Sequence, residues 1–205
     1  MEMDEPQRRA AIAKAQEYEM ENRVDKSKPS GKGNSKNTYK LGAKGQPGEQ
    51  VDCSGMTSES IKAGGEPDPT LIGTGGGVQR TVANTNQVVT NDMEPGNVAV
   101  FNNQGHIGLI TEVYRDESGN VTGFKMIHSS GDPERGYSGP NCQTVTIGGN
   151  QYWDKRFDGV YKWDSKPDAL APQPTPTPTP NITLPAYTPI IDNTRVSVPA
   201  IPHTF

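Results

Sequence analysis

Between His106 and His128 the chain reads as two β-strands joined by a turn, and this hairpin constrains the fold more than any other segment. Residues 107–114 (IGLITEVY) alternate, with Ile107, Leu109 and Val113 expected on one face. Residues 116–120 (DESGN) are turn-forming types, and residues 121–128 (VTGFKMIH) return as a strand. So short a connection dictates antiparallel pairing. If Asp116 pairs with Gly119, the register sets His106 opposite His128 or Ser129. The two imidazoles then meet at the open end of the hairpin, with Cβ atoms about 5 Å apart if directly paired.

More short strands are expected at residues 97–101 (NVAVF), after a Pro95-Gly96 turn, and at 144–147 and 159–163. The upstream half reads differently. Residues 6–24 suit an amphipathic helix, with Pro6 in its first turn and Asp4 or Glu5 at its positive end. Its apolar stripe would be Ala11, Ile12, Ala15, Tyr18 and Met20. Residues 54–63 form a second helix, stopped by Gly64 and Gly65. Residues 25–37 read as a polar, solvated loop, and 66–96 show no regular pattern. GTGGG at 73–77 lacks the Gly-Lys-Ser/Thr of a phosphate loop, so a flexible loop is expected. Helices first and strands later imply an α+β domain.

Only 31% of the 205 residues are hydrophobic, low for a chain packed throughout. The shortage is localised, because ten of the 18 prolines fall in residues 167–205. APQPTPTPTP favours an extended polyproline II spacer. One domain over residues 1–165 is therefore expected, with a Pro/Thr-rich linker and tail over 166–205. A net charge of −4 argues against general nucleic-acid binding. No apolar run approaches the roughly 18 residues of a membrane span. The start, MEMDEPQRR, has neither the basic-then-apolar pattern nor the cleavage site of a secretory signal.

Cys53 stands in Val-Asp-Cys-Ser-Gly, at the start of the second helix. There a thiol meets the positive end of the helix dipole and free backbone amides, which favour a thiolate and can hold an oxyanion. Asp52 and Ser54 are capping types, and Gly55 leaves room for a substrate backbone. The neighbours of Cys53 are polar, unlike those of an inert buried cysteine. With His106 as base and His128 as its orienter, the set suits acyl transfer. The same three side chains could ligate zinc, but the chain has no CxxC and no HExxH. No cofactor is implied. Cys142, in GYSGPNCQTV, reads as a partly buried loop thiol, and a Cys53–Cys142 disulfide is disfavoured by the reactive setting of Cys53.

Four segments in this order resemble the NlpC/P60 family of cell-wall cysteine peptidases. They are Asp52-Cys53-Ser54-Gly55, Gly105-His106-Ile107-Gly108, Ile127-His128-Ser129-Ser130, and the strand Asn97-Val98-Ala99-Val100-Phe101 before the first histidine. Thr38-Tyr39-Lys40-Leu41-Gly42 resembles the family's segment upstream of the cysteine, and Tyr152-Trp153 and Arg156-Phe157 its closing stretch. Asn97 stands where the family usually has Asp, and Ala43 where a second Gly is common. The resemblance implies a reduced papain-like fold, N-terminal helices on an antiparallel sheet. It implies Cys53 as nucleophile, His106 as base and His128 as orienter, with Tyr39, Asp52 and Ser54 lining the substrate cleft.

What the resemblance further implies is hydrolysis of the γ-D-glutamyl–diamino acid amide of a peptidoglycan stem peptide. Three other readings stay open: an N-acetylmuramoyl-L-alanine amidase, a cysteine-dependent deamidase or acyltransferase toxin acting on a protein, and a non-catalytic wall-binding module. The substrate lies outside the cytoplasm, so the protein is expected in the cell wall or periplasm. An antibacterial effector of this kind would have an immunity or inhibitor protein as partner.

Overall fold

The computed structural model describes residues 3–71, 73–132 and 137–163. The expected linker and tail lie outside the described residues, and so does His203.

Helix α1 (Glu5–Asn22) begins with a capping box. Asp4 Oδ1 accepts the Gln7 N–H at 2.9 Å and Gln7 Oε1 accepts the Asp4 N–H at 2.8 Å. Ala11, Ala15 and Tyr18 form its buried stripe. Met20, expected in that stripe, is 48% exposed. Glu19 and Asn22 are buried instead, because both have polar partners. Glu19 pairs with Arg23 and accepts the Ser30 N–H at 2.7 Å, while Asn22 Nδ2 donates to the Pro140 carbonyl at 2.8 Å. Residues 25–37, expected to be a solvated loop, are polar yet anchored. Asn34 Nδ2 donates to the carbonyls of Asp25, Lys28 and Pro29, each at 3.0 Å, and the buried Ser30 Oγ donates to Pro140 at 2.9 Å. Hydrogen bonds do here what apolar burial does elsewhere, and composition does not reveal them.

Helix α2 (Cys53–Ala63) ends at Gly64, as expected. Residues 66–96, which show no pattern in sequence, contain helix α3 (Gly77–Ala83), strand β1 (Thr85–Val88) and two 3-10 turns. Elements this short owe their stability to packing rather than to periodicity. The remaining strands are β2 (Val98–Phe101), β3 (His106–Arg115), β4 (Val121–Asp132), β5 (Tyr137–Thr146) and β6 (Phe157–Trp163). They form one antiparallel sheet in the order β1-β6-β2-β3-β4-β5.

The sheet has two apolar faces. Val98, Val100, Ile107, Leu109, Ile127 and Trp163 belong to the core shared with α1 and α2. Phe101, Ile110, Phe124, Met126, Val145 and Val160 form the opposite core, closed by Met93 and Trp153. Val113 packs against this second core, not beside Ile107 and Leu109 as strict alternation implies. The reason is a bulge between Ile110 and Glu112, which reverses the parity of β3. A second shift at Tyr114/Arg115 offsets the first, and because the turn closes Asp116 on Asn120 rather than on Gly119, Leu109 faces Ile127. Continued by one residue, that register sets Gly108 opposite His128, and His106 lies two residues along the same face. The histidines are thus diagonal neighbours rather than directly opposed.

Candidate active site

Asp52 sets the start of α2. Its Oδ1 accepts the Gly55 N–H at 2.7 Å and the Ser54 hydroxyl at 3.0 Å, and its Oδ2 accepts the Gly42 N–H at 2.6 Å. Three donors thus occupy the carboxylate and fix Cys53 as the first helical residue. Gly55 sits where the chain crosses Ala43, and a Cβ there would collide with the Ala43 carbonyl oxygen. From the other side, the Ser129 hydroxyl donates to the Val51 carbonyl at 2.8 Å, tying β4 to the residues that lead into α2.

The thiol of Cys53 is only 7% exposed. Its sulfur accepts backbone N–H groups from Ile107, Ser54 and Cys53 itself. Those bonds favour a thiolate, but burial, and then the charge of Asp52, push the thiol up to about 12. The sequence reading weighed the helix dipole and missed this desolvation. At rest Cys53 is therefore a protonated thiol, which would need a base to react.

The neighbour of Ile107, His106, is the candidate for that base. His106 Nε2 and His128 Nδ1 are 2.6 Å apart, with the rings nearly perpendicular at 87° and their centroids 4.9 Å apart. Burial pushes the His106 imidazole down to about 3, so it is neutral at neutral pH and free to accept a proton. His128 is fully buried and lies well below its ordinary value. Burial is the main cause, then the charge of His106, opposed by the Asn141 amide paired with it across β4 and β5. For His106 to accept at Nδ1, its Nε2 must carry hydrogen and donate to His128 Nδ1. The remaining nitrogen of His128, Nε2, is buried with no hydrogen-bond partner.

Trp153 completes the wall behind the histidines. Its ring stacks on His106 at 4.5 Å and 26°, and meets His128 edge-on at 4.9 Å and 86°. Sequence reasoning noted the Tyr152-Trp153 pair but gave Trp153 no role. The available signal was one of only two tryptophans, set in a polar run.

Cys53 and His106 line one cleft of about 200 Å³ together with Tyr39, Asp52 and Ser54. Leu41 stands at the same cleft and is 81% exposed. Burial, and then the charges of Cys53 and Asp52, raise the Tyr39 phenol, which stays a neutral donor. GTGGG has a purpose that its composition hides. Gly77 opens α3 against Ser54, and a Cβ at that position would lie 2.6 Å from Ser54 Cβ and closer still to its hydroxyl. Cys142 is half-buried in a separate cavity beside Glu19 and Lys125, and both cysteines are free. Among the described residues, no three His, Cys, Asp or Glu side chains are grouped to hold a metal ion.

No family model matches the sequence, and no curated protein matches it. Among solved structures, the chain is similar to a protein from Staphylococcus aureus subsp. aureus Mu50 described as similar to a lipoprotein of the NLP/P60 family. The two agree with a TM-score of 0.51 at 15% identity, over 81% of this chain and 44% of that one. The chain thus spans less than half the length of that protein. At this identity the likeness speaks for the fold: helices on an antiparallel sheet in the NlpC/P60 arrangement, as the resemblance implies. No described helix is long and apolar enough to cross a membrane.

Proposed function

We propose that this chain is a cysteine peptidase that hydrolyses the γ-D-glutamyl–diamino acid amide of peptidoglycan stem peptides. The observation that carries the reading is the His106–His128 contact at 2.6 Å, on a strand whose next residue, Ile107, donates its N–H to the sulfur of Cys53. A buried thiol, a neutral imidazole and a second imidazole orienting the first are the parts acyl transfer requires.

The chemistry runs in two halves. His106 takes the thiol proton as the sulfur of Cys53 attacks the amide carbonyl carbon. In this reading the backbone N–H groups of Cys53 and Ser54, which lie near the sulfur at rest, stabilise the developing oxyanion once the sulfur has attacked. Collapse breaks the C–N bond, the amine leaves with the proton from His106, and a thioester remains. Water, deprotonated by His106, then cleaves the thioester and restores the thiol. His128 holds the His106 ring and its tautomer throughout. Burial makes the pair neutral at rest, so proton transfer accompanies attack.

In this reading residues 1–165 are the catalytic domain and 166–205 a spacer and tail. Tyr39, Asp52 and Ser54 shape the cleft, with Asp52 acting first as the cap of α2. The protein acts after delivery to the cell wall or periplasm, and an effector of this kind would pair with an immunity or inhibitor protein. Digestion of purified muropeptides with mass analysis tests the reaction. Release of L-Ala-γ-D-Glu fragments by the wild type, and none by Cys53→Ala, is the expected result. Release of whole stem peptides would instead identify an amidase, and intact muropeptides would point to a target other than the wall.

A further inference from the structure

One cation beside the nucleophile has no role in that chemistry. Arg80 lies on α3, and its Nε is buried without a hydrogen-bond partner. No described acidic side chain pairs with it. It lines a cavity of about 100 Å³ together with Lys44, Asp52, Ser54 and Gly77. Asp52, Ser54 and Gly77 also line the cleft of Cys53 and His106, so the smaller cavity adjoins the larger one across these residues.

The other charges in this cavity are already matched. Lys44 pairs with Asp68 at 2.9 Å and reaches the Thr70 hydroxyl. Asp52 accepts from Gly42, Ser54 and Gly55. Among the described residues lining this cavity, the guanidinium is the one charge without an ion-pair partner, and a planar fork of N–H donors fits a carboxylate above other small groups. Geometry adds a second reason. When glutamate is linked through its side chain, its α-carboxylate is no longer part of the main chain. It projects as a branch a few bonds from the scissile carbonyl and needs a pocket off the main cleft. The cavity lined by Arg80 adjoins the cleft at Ser54, the residue after the nucleophile, where such a branch would fall.

We propose that Arg80 is the specificity residue that binds the free α-carboxylate of the γ-linked glutamate, so that the protein selects stem peptides in which this carboxylate is not amidated. The inference rests on the peptidase reading above and deepens it. Amidation replaces the anion with a neutral carboxamide, which leaves the guanidinium uncompensated.

The test compares the tripeptide L-Ala-γ-D-Glu-diaminopimelate with its α-carboxamide, as substrates of the wild type and Arg80→Gln. The wild type should prefer the free acid by about tenfold to a hundredfold in kcat/KM, the size of a hydrogen bond to a charged group. Arg80→Gln should lose that preference by falling on the free acid, with the carboxamide changed less than about twofold. A preference retained in Arg80→Gln, or absent in the wild type, overturns the proposal while leaving the peptidase reading intact. Arg80→Lys, which keeps the charge but not the fork, should fall between the two and serves if Arg80→Gln does not fold. Calorimetric binding of both peptides to Cys53→Ala, and to Cys53→Ala with Arg80→Gln, separates the two levels. If the wild type cleaves neither peptide, the peptidase reading fails. Tighter, Arg80-dependent binding of the free acid would then still uphold the site, and equal binding would refute it.

Discussion

Acidification should weaken this domain well before its carboxylates titrate, because two imidazoles are buried in it. In the unfolded chain both histidines titrate near 6.5. In the folded chain His106 is held down to about 3 and His128 well below its usual range. Between those values the unfolded state binds more protons, so stability rises with pH. The contribution is therefore complete above pH 6.5 and is lost as the pH falls below it. At about pH 5 each fully buried imidazole costs about 2 kcal/mol, set against a total of about 5–15 kcal/mol for a domain. His106 touches the cleft and is partly screened, so the pair should cost about 2–4 kcal/mol. The carboxylates held below their usual range, such as Asp68 and Glu112, have ordinary values of 3.8 and 4.5 and add their share only in more acid solution. Urea unfolding followed by tryptophan fluorescence at about pH 7, 6 and 5 reads the slope directly. His128→Gln removes one of the two titrating rings and should reduce the slope by about half. An unfolding free energy constant to within about 0.5 kcal/mol from pH 7 to 5 would refute the argument, because two neutral buried imidazoles require a slope.

Other expectations concern the site itself. Cys53→Ala should stay folded, by circular dichroism, and lose several orders of magnitude in rate, since nothing else in the cleft can form the thioester. His106→Ala should lose more activity than His128→Gln, because an amide can still hold the ring while nothing replaces the base; equal steady-state losses would show that the roles are misassigned. Trp153→Ala should cost about 3–5 kcal/mol by opening a cavity against both histidines, whereas Trp153→Phe should keep most of the stability and lower kcat more than it changes KM. Gly77→Ala should destabilise by about 1–3 kcal/mol by forcing Ser54 off its position, with a matching loss of rate; unchanged melting and activity would mean that α3 adjusts freely.

Much of this site was legible in the chain because its signals are local. A cysteine between Asp52 and Ser54 at a helix start, and histidines at both ends of one hairpin, report their positions through turn chemistry and strand alternation, which act over a few residues. What lay beyond reach depends on contacts between distant segments. The bulge at Ile110/Glu112 turned Val113 to the other face, a choice made by two cores competing for the same strand, while a turn closed on Asn120 rather than on Gly119 set His128 opposite Gly108. Trp153 and His106 are far apart in sequence and stack only because β6, which follows Trp153, is brought beside β2, the neighbour of β3. Helix α3 and strand β1 have no periodicity of their own and exist by packing, which brings Gly77 against Ser54 and Arg80 to the cavity that adjoins the cleft. Even the state of the Cys53 thiol was decided this way. The sequence placed Cys53 where a helix dipole favours the thiolate, but only the folded chain buries the sulfur, and desolvation outweighs the dipole.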